Sequence, residues 1–249
     1  MPAIKLNSIS TRAPKNADKE KIKAKTDAIL TELDELQNLL YAENKHGVLV
    51  VIQGMDASGK DGVIRNVFGN LNPQGVTVQS FKVPTPLELS HDFLWRIHQH
   101  APPKGMIQLF NRSHYEDVLV TRVHKIIDNA TAQKRMKAIN DFEELLTKHN
   151  DTHILKFYLH VSKEEQHQRL EERLSDKAKQ WKYNEKDFEE AKFWNDYMKV
   201  YEDCFKNCNA IPWTIVPADQ NWYKEFIIAS ALHKLLASLK MRYPGLKKS

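Results

Sequence analysis

Gly54-Met55-Asp56-Ala57-Ser58-Gly59-Lys60 carries the clearest chemistry in the chain. Two glycines separated by four residues and followed by lysine match the spacing of a phosphate-binding P-loop. Backbone N–H groups in such a loop converge on a phosphate, helped by the N-terminus of the helix that follows. Lys60 adds a point charge at the group being transferred. The context fits, because a β-branched run, Val48-Leu49-Val50-Val51-Ile52, precedes the loop and an apolar stretch, Val63 to Phe68, follows it. A glycine-rich turn without function is the bland alternative, and strand and helix together argue against it.

One departure is informative. Asp61 stands where a P-loop usually has Ser or Thr for magnesium, while Asp56 sits inside the loop. A carboxylate beside bound phosphates repels them unless a cation intervenes. Asp56 therefore reads as a magnesium ligand or as a group that orients an acceptor phosphate. The alternative is a loop cap, bonded to a nearby N–H.

A second run, Leu109-Phe110-Asn111-Arg112-Ser113-His114-Tyr115-Glu116-Asp117, follows an apolar strand candidate. Residues just past the carboxyl end of a parallel strand face the ligand crevice. Arg112 can clamp phosphate with two donors. Glu116 and Asp117 are candidates for magnesium or acceptor contacts, although two acids here also suit the first turn of a helix. From Arg169 to Lys192 a basic run, with Arg169, Arg173, Lys177, Lys179, Lys182 and Lys186, surrounds Trp181. It reads either as a solvated helix face or as the mobile lid that P-loop kinases carry at this point.

These residues need elements to hold them. Helical spacing of Ile22, Ile29, Leu33, Leu36 and Leu40 predicts a helix from about Asp18 to Glu43. Val48–Ile52 suits a strand buried on both faces. Strands follow at 76–83, 106–110, 153–161 and 213–216, and helices at 87–100, 130–148 and 223–241. Ser162 with Glu165 reads as a capping box for the helix after the fourth strand. This alternation predicts an α/β fold, three-layer α/β/α with a parallel sheet. Residues 1–17 read as a loose arm, and 18–249 as one domain with a helical N-terminal flank and a lid over about 169–190.

The bulk properties set limits. A length of 249 residues suits one such domain. Hydrophobic residues at 41% and charged residues at 28% are ordinary for a soluble globular chain. No apolar run spans a bilayer and no signal-peptide core stands in the first twenty residues. Cys204 and Cys208 cannot build a disulfide framework and read as core packing. Together these point to the cytoplasm. The net charge of +5 permits a polyanionic partner without demanding one. The eleven histidines lack zinc spacing, and Trp194, Tyr197 and Tyr201 read as a helix core stripe.

Four stretches in combination resemble the polyphosphate kinase 2 family: 54–62, ending Lys60-Asp61-Gly62; 111–119, Asn111 to Leu119; Lys179-Gln180-Trp181-Lys182-Tyr183; and Pro212-Trp213 through Asp219 to Trp222-Tyr223. The resemblance spans about Asp18 to Leu246. It implies a thymidylate-kinase-like fold, transfer of phosphate between inorganic polyphosphate and nucleotides, Mg2+, and a dimer or tetramer. Glu116, directly after Tyr115, resembles the subgroup acting on both AMP and ADP, with ATP as final product; guanine nucleotides stay open as acceptors. The resemblance implies no nucleic acid or membrane partner. Catalysis is expected of Asp56, Lys60, Arg112, Glu116 and Arg173, and metal binding of Asp56 and Glu116. Binding is expected of Gly54, Met55, Ala57, Ser58, Gly59, Asp61, Gly62, Asn111, Asp117, Arg169, Lys177 and Lys179. Lys177 departs from the proline of many relatives. Two rivals remain at this level: an ATP-dependent P-loop kinase of a nucleotide or small metabolite, and a non-catalytic polyanion binder, which would be expected to lack Lys60 or the acids.

Overall fold

A computed structural model describes residues 4–246. Five strands form one sheet: β1 (Gly47–Gln53), β2 (Val76–Ser80), β3 (Ile107–Asn111), β4 (Thr152–His160) and β5 (Trp213–Pro217), in the order β2-β3-β1-β4-β5. Every pairing is parallel. The helices are α1 (Lys19–Glu43), α2 (Lys60–Val63), α3 (Pro86–Leu89), α4 (Trp95–His98), α5 (Val120–Val123), α6 (Asn129–His149), α7 (Lys163–Ser175), α8 (Glu185–Ala191), α9 (Trp194–Asn207) and α10 (Asn221–Ser238).

The continuous apolar run of β1 explains the layering. Val48, Val50 and Ile52 join a core under α1 and α10, with Leu33, Leu40 and Leu232. Leu49 and Val51 point the other way, toward Phe110, Met136, Phe142 and Phe205 beneath α6 and α9. Successive strand side chains alternate between faces, so a strand covered on both sides is apolar throughout. Asp18, Asp128 and Ser162 cap α1, α6 and α7 by accepting from backbone N–H groups.

Three expectations need correction. The helix over 87–100 is two short ones, α3 and α4. The Ser90 hydroxyl donates to the Leu87 carbonyl at 2.7 Å, and an Asp92 carboxylate oxygen accepts from the Leu94 N–H at 2.9 Å. Such local side-chain bonds compete with a helical ladder. The capping box at Ser162 is half made: Ser162 accepts from the Glu165 N–H, while the Glu165 carboxylate accepts from Arg169 Nε at 2.8 Å.

Nor is the N-terminal arm loose over residues 4–17; residues 1–3 lie outside those described. Leu6 is fully buried, and its N–H donates to Glu202 Oε1 at 2.9 Å. Thr11 Oγ1 donates to Asp219 Oδ2 at 2.8 Å, and the Ala13 N–H to Gln220 Oε1 at 2.9 Å. Leu6, with Ile4 partly buried against the same core, is too short an apolar signal within a polar stretch to show a periodicity. Among the described residues, no helix is long and apolar enough to cross a membrane.

Candidate active site

The carboxyl ends of β1, β3 and β4 meet at the centre of the sheet, and the two singular runs leave from the first two. The loop after β1 turns on Gly54 and Gly59 into α2. Gly59 has φ +93°, and a Cβ there would collide with Lys224 Nζ. A Cβ on Gly54 would lie 2.7 Å from Ser58 Oγ. Only glycine meets both demands, a left-handed conformation and a close approach. Ala57 and Arg112 also have positive φ, 58° and 60°. For residues with a side chain this costs of order 1 kcal/mol and collects at functional sites.

Lys60 is buried and folds back on the loop, donating to the Gly54 and Met55 carbonyls at 2.7 and 3.0 Å. Burial, and then the nearby Arg112 charge, push its pKa down to about 8, against the pull of Asp56 and Glu116. Ser58 Oγ is buried and has no hydrogen-bond partner among the described residues. A buried hydroxyl left unpaired inside a phosphate loop is suited to a ligand oxygen.

Arg112 is the centre of the constellation. Its guanidinium makes a close ion pair with Asp56 and donates to Glu116 Oε2 at 3.2 Å. Burial alone would loosen the Arg112 proton, but Glu116 and Asp56 outweigh it and hold the group charged. Gln166 Nε2 donates to the Asp56 carbonyl at 3.0 Å. A cavity of about 20 Å³ lies among Asp56, Arg112, Glu116, Gln166, Glu190 and Tyr197. That is room for about one water, and the segment bearing Glu190 forms part of its wall.

That segment is the lid-like stretch. Glu190, on α8, meets His124 Nε2 at 2.7 Å and accepts from the Tyr197 hydroxyl at 2.7 Å. Lys182 Nζ donates to Asp61 Oδ2 at 3.2 Å, and Asn111 Nδ2 to Asp61 Oδ1 at 3.0 Å. Burial would raise the Asp61 pKa, but the Asn111 and Lys182 bonds outweigh it and lower it. Asp61 therefore ties the P-loop helix to the stretch above it.

The structure separates some candidates from this centre. Arg169 spends its donors on Glu165, on the Ala57 and Ser58 carbonyls, and on the Ala218 and Asp219 carbonyls. It braces the loop from behind. Arg173 pairs closely with Asp187 of α8. Asp117 lies 3.8 Å from Arg96 and 3.9 Å from Arg135, and is not among the residues around the cavity. Burial first, against those two cations, raises its pKa to about 6. Lys177 is exposed, and Lys179 pairs with Glu172 at 2.7 Å. Gly62 has open space around it.

Sequence reasoning missed Lys224, Gln166 and Glu190, and it read Tyr197 and Tyr201 only as core. Lys224 is buried, donates to Asn221 Oδ1 at 2.9 Å and lies 3.4 Å from the Ser58 carbonyl; burial, then Arg169, push its pKa down to about 8. A lysine in the first turns of the mainly apolar closing helix was the available signal. Gln166 and Glu190 left none.

The donors around the cavity are oxygens. Asp56 and Glu116 offer two carboxylates, the third, Glu190, being held by His124 and Tyr197, and among the described residues no group of three or more His, Cys, Asp or Glu forms a cage. One or two carboxylates completed by phosphate oxygens and water suit a hard divalent cation, and this donor set fits one.

Known proteins match the chain over most of its length. The sequence profile of polyphosphate kinase 2 matches residues 16–245. The chain is 49% identical over 214 residues to the AMP/ADP-polyphosphate phosphotransferase of Meiothermus ruber, covering 85% of this chain and 80% of that one. It is 44% identical over 226 residues to the ADP-polyphosphate phosphotransferase of Rhodopseudomonas palustris, covering 85% and 78%. The crystal structure of polyphosphate kinase 2 from Arthrobacter aurescens superposes with a TM-score of 0.96 at 38% identity, covering 100% of this chain and 90% of that one.

Proposed function

The chain belongs to the polyphosphate kinase 2 family, and from that membership we propose that it transfers the terminal phosphoryl group of inorganic polyphosphate to AMP and to ADP, reversibly, giving ADP and ATP. The observation that carries this reading is the intact P-loop beside Arg112, which bridges Asp56 and Glu116. Glu116 after Tyr115 and the likeness to the Meiothermus ruber enzyme support both acceptors.

The acceptor is itself a phosphate, anionic at neutral pH, so the site needs no strong general base. A phosphate oxygen of the nucleotide attacks the terminal phosphorus of polyphosphate. The bridging P–O bond breaks, and its electron pair leaves on the shortened chain. Catalysis is positioning and charge neutralisation. Lys60 and the loop N–H groups hold the transferring phosphoryl, and Ser58 Oγ offers a further contact. Arg112 faces the developing charge, and Asp56 with Glu116 places it. Asp56 and Glu116 would also hold Mg2+, which when bound neutralises phosphate oxygens. Arg173 acts through the closing stretch.

A polyanionic donor suits the surface beyond the loop. A cavity of about 710 Å³ opens between α1, the turn after α2 and the start of α10, with Lys19, Lys23 and Arg65 beside Trp222. Asp27 and Glu225 line it as well, leaving the three cations in excess, and Lys224, adjacent to Glu225, reaches the Ser58 carbonyl. Lys and Arg follow a polyphosphate chain as they follow a nucleic-acid backbone. The free, buried Cys204 and Cys208 suit a reducing cytoplasm. Val83, Leu87 and Leu89, exposed in the segment that follows the edge strand β2, support self-association into a dimer or tetramer.

The test is nucleotide analysis by chromatography, with purified protein, magnesium, long-chain polyphosphate and AMP. ADP followed by ATP is the expected result, and guanine nucleotides run in the same assay. ATP from ADP alone would undo the reading of Glu116. Silence with both acceptors, and activity with ATP as donor, would make the protein an ATP-dependent kinase.

A further inference from the structure

Behind the site lies a fully buried charged network that no step above uses. Glu143 on α6 and Lys156 on β4 pair at 2.7 Å with both side chains wholly shielded from water. Lys156 Nζ also donates to the Tyr115 hydroxyl at 2.7 Å and to the Cys208 carbonyl at 3.1 Å, which uses all three of its donors. The Tyr115 hydroxyl donates to Glu143 Oε1 at 2.6 Å, and His114 Nε2 lies 3.4 Å from the same oxygen. The ammonium also sits 5.2 Å from the Tyr115 ring centre and 5.0 Å from that of Trp213.

Such a pair asks for an explanation. Burying two charges costs about as much as their attraction returns, and a well-packed apolar pair in their place is often as stable or more so. Stability alone therefore does not account for it. Its location does. Tyr115 stands next to Glu116, and the strained Arg112 opens the same turn. From the other side, Ser113 Oγ accepts from Gln53 Nε2 at 3.0 Å and from the Tyr115 N–H at 3.2 Å. Gln53 is the last residue of β1, directly before Gly54. The turn is clamped to the strand that carries the P-loop on one side and to α6 and β4 on the other.

We propose that Glu143 and Lys156 are positioning residues for phosphoryl transfer: through the Tyr115 hydroxyl they fix the 113–117 turn, and with it Arg112 and Glu116, against the P-loop. Neither touches substrate. This rests on the proposed function only in assigning Arg112 and Glu116 to the reaction.

The test replaces the pair by apolar residues, Glu143→Leu with Lys156→Met, and measures thermal unfolding, kcat, both KM values and the effect of adding Glu116→Gln. Wild type is assayed first, with polyphosphate and with ATP, and the variants are run on whichever donor it uses. Failure of wild type on polyphosphate thus overturns the functional reading and leaves the positioning test in place. The expected result is a midpoint close to wild type, kcat lower by roughly 10- to 100-fold, the size that a displacement of about 1 Å brings, and KM within about twofold. Once the turn is free, Glu116→Gln costs much less than in wild type, because coupled residues are not additive. A stable double variant with wild-type kcat, or losses that simply multiply, would overturn the proposal. Should the double variant not fold, Tyr115→Phe keeps the ring and removes the hydroxyl; kcat within twofold of wild type then overturns it equally.

Discussion

Asp56→Asn separates chemistry from fold. The side chain is nearly isosteric, and Asn keeps an oxygen that can accept from Arg112. The Asp56 and Arg112 side chains are 19% and 33% exposed, so solvent screens their attraction. A pair this open is worth about 1 kcal/mol or less, or a midpoint shift of about 2–4 °C in a domain of this size. Gln166 still holds the Asp56 carbonyl, so the loop keeps its path. The effect on transfer is of another size. On the proposed mechanism, Asn would lack the charge that holds a divalent cation and aims Arg112 at the phosphoryl group. Removing one preorganised electrostatic contact of this kind costs about 10²–10³ in kcat, roughly 2.7–4 kcal/mol. The assay follows ATP and ADP by chromatography at saturating polyphosphate, with calorimetry on the same sample. The expected outcome is kcat down by at least about 100-fold with KM little changed, the signature of a contact made in the transition state. A kcat within about threefold of wild type would remove Asp56 from the mechanism.

Other perturbations address the frame. Gly59→Ala forces a side chain into a left-handed conformation and into Lys224 Nζ; transfer should fall by at least about tenfold, the scale of a contact displaced at the phosphate, while circular dichroism stays unchanged. Lys60 and Lys224, each with a pKa pushed down to about 8, are cationic below that value and neutral above it. Polyphosphate affinity, measured by calorimetry at constant ionic strength, should therefore weaken as pH rises past about 8, and an unchanged affinity up to pH 10 would count against both lysines. Leu6→Ala empties a fully buried position and should cost about 2–5 kcal/mol, read as a lower unfolding midpoint; an unchanged midpoint would mean that the N-terminal segment is not docked in solution.

Much of this molecule was legible before folding because the signals are local. The β-branched run at 48–52 announces a strand buried on both faces. The spacing from Gly54 to Lys60 announces a phosphate loop, and Asp18 and Ser162 announce helix starts. Each depends on residues within a few positions of one another, and periodicity reports which face of an element is buried. Where side chains compete with the backbone, as at Ser90 and Asp92, periodicity overreached and joined two short helices into one. It had equally little to say about Leu6, which with Ile4 makes a short apolar anchor in a polar stretch.

Partners far apart in the chain were a different matter. Lys224 reaches the P-loop across 166 positions and Gln166 across 110; Arg169, expected as a binding residue, gives donors to the loop carbonyls. The Glu143–Lys156 pair and the Glu190 contacts have no mark in sequence at all. The sequence by itself determined the chemistry available: a phosphate loop, two acids and an arginine at strand ends. The tertiary structure decided which charges face the cavity and which brace it. A side chain's hydrogen-bond partners depend on the order β2-β3-β1-β4-β5, which brings the ends of β1, β3 and β4 together, and that order is a property of the packed sheet rather than of any local run of residues.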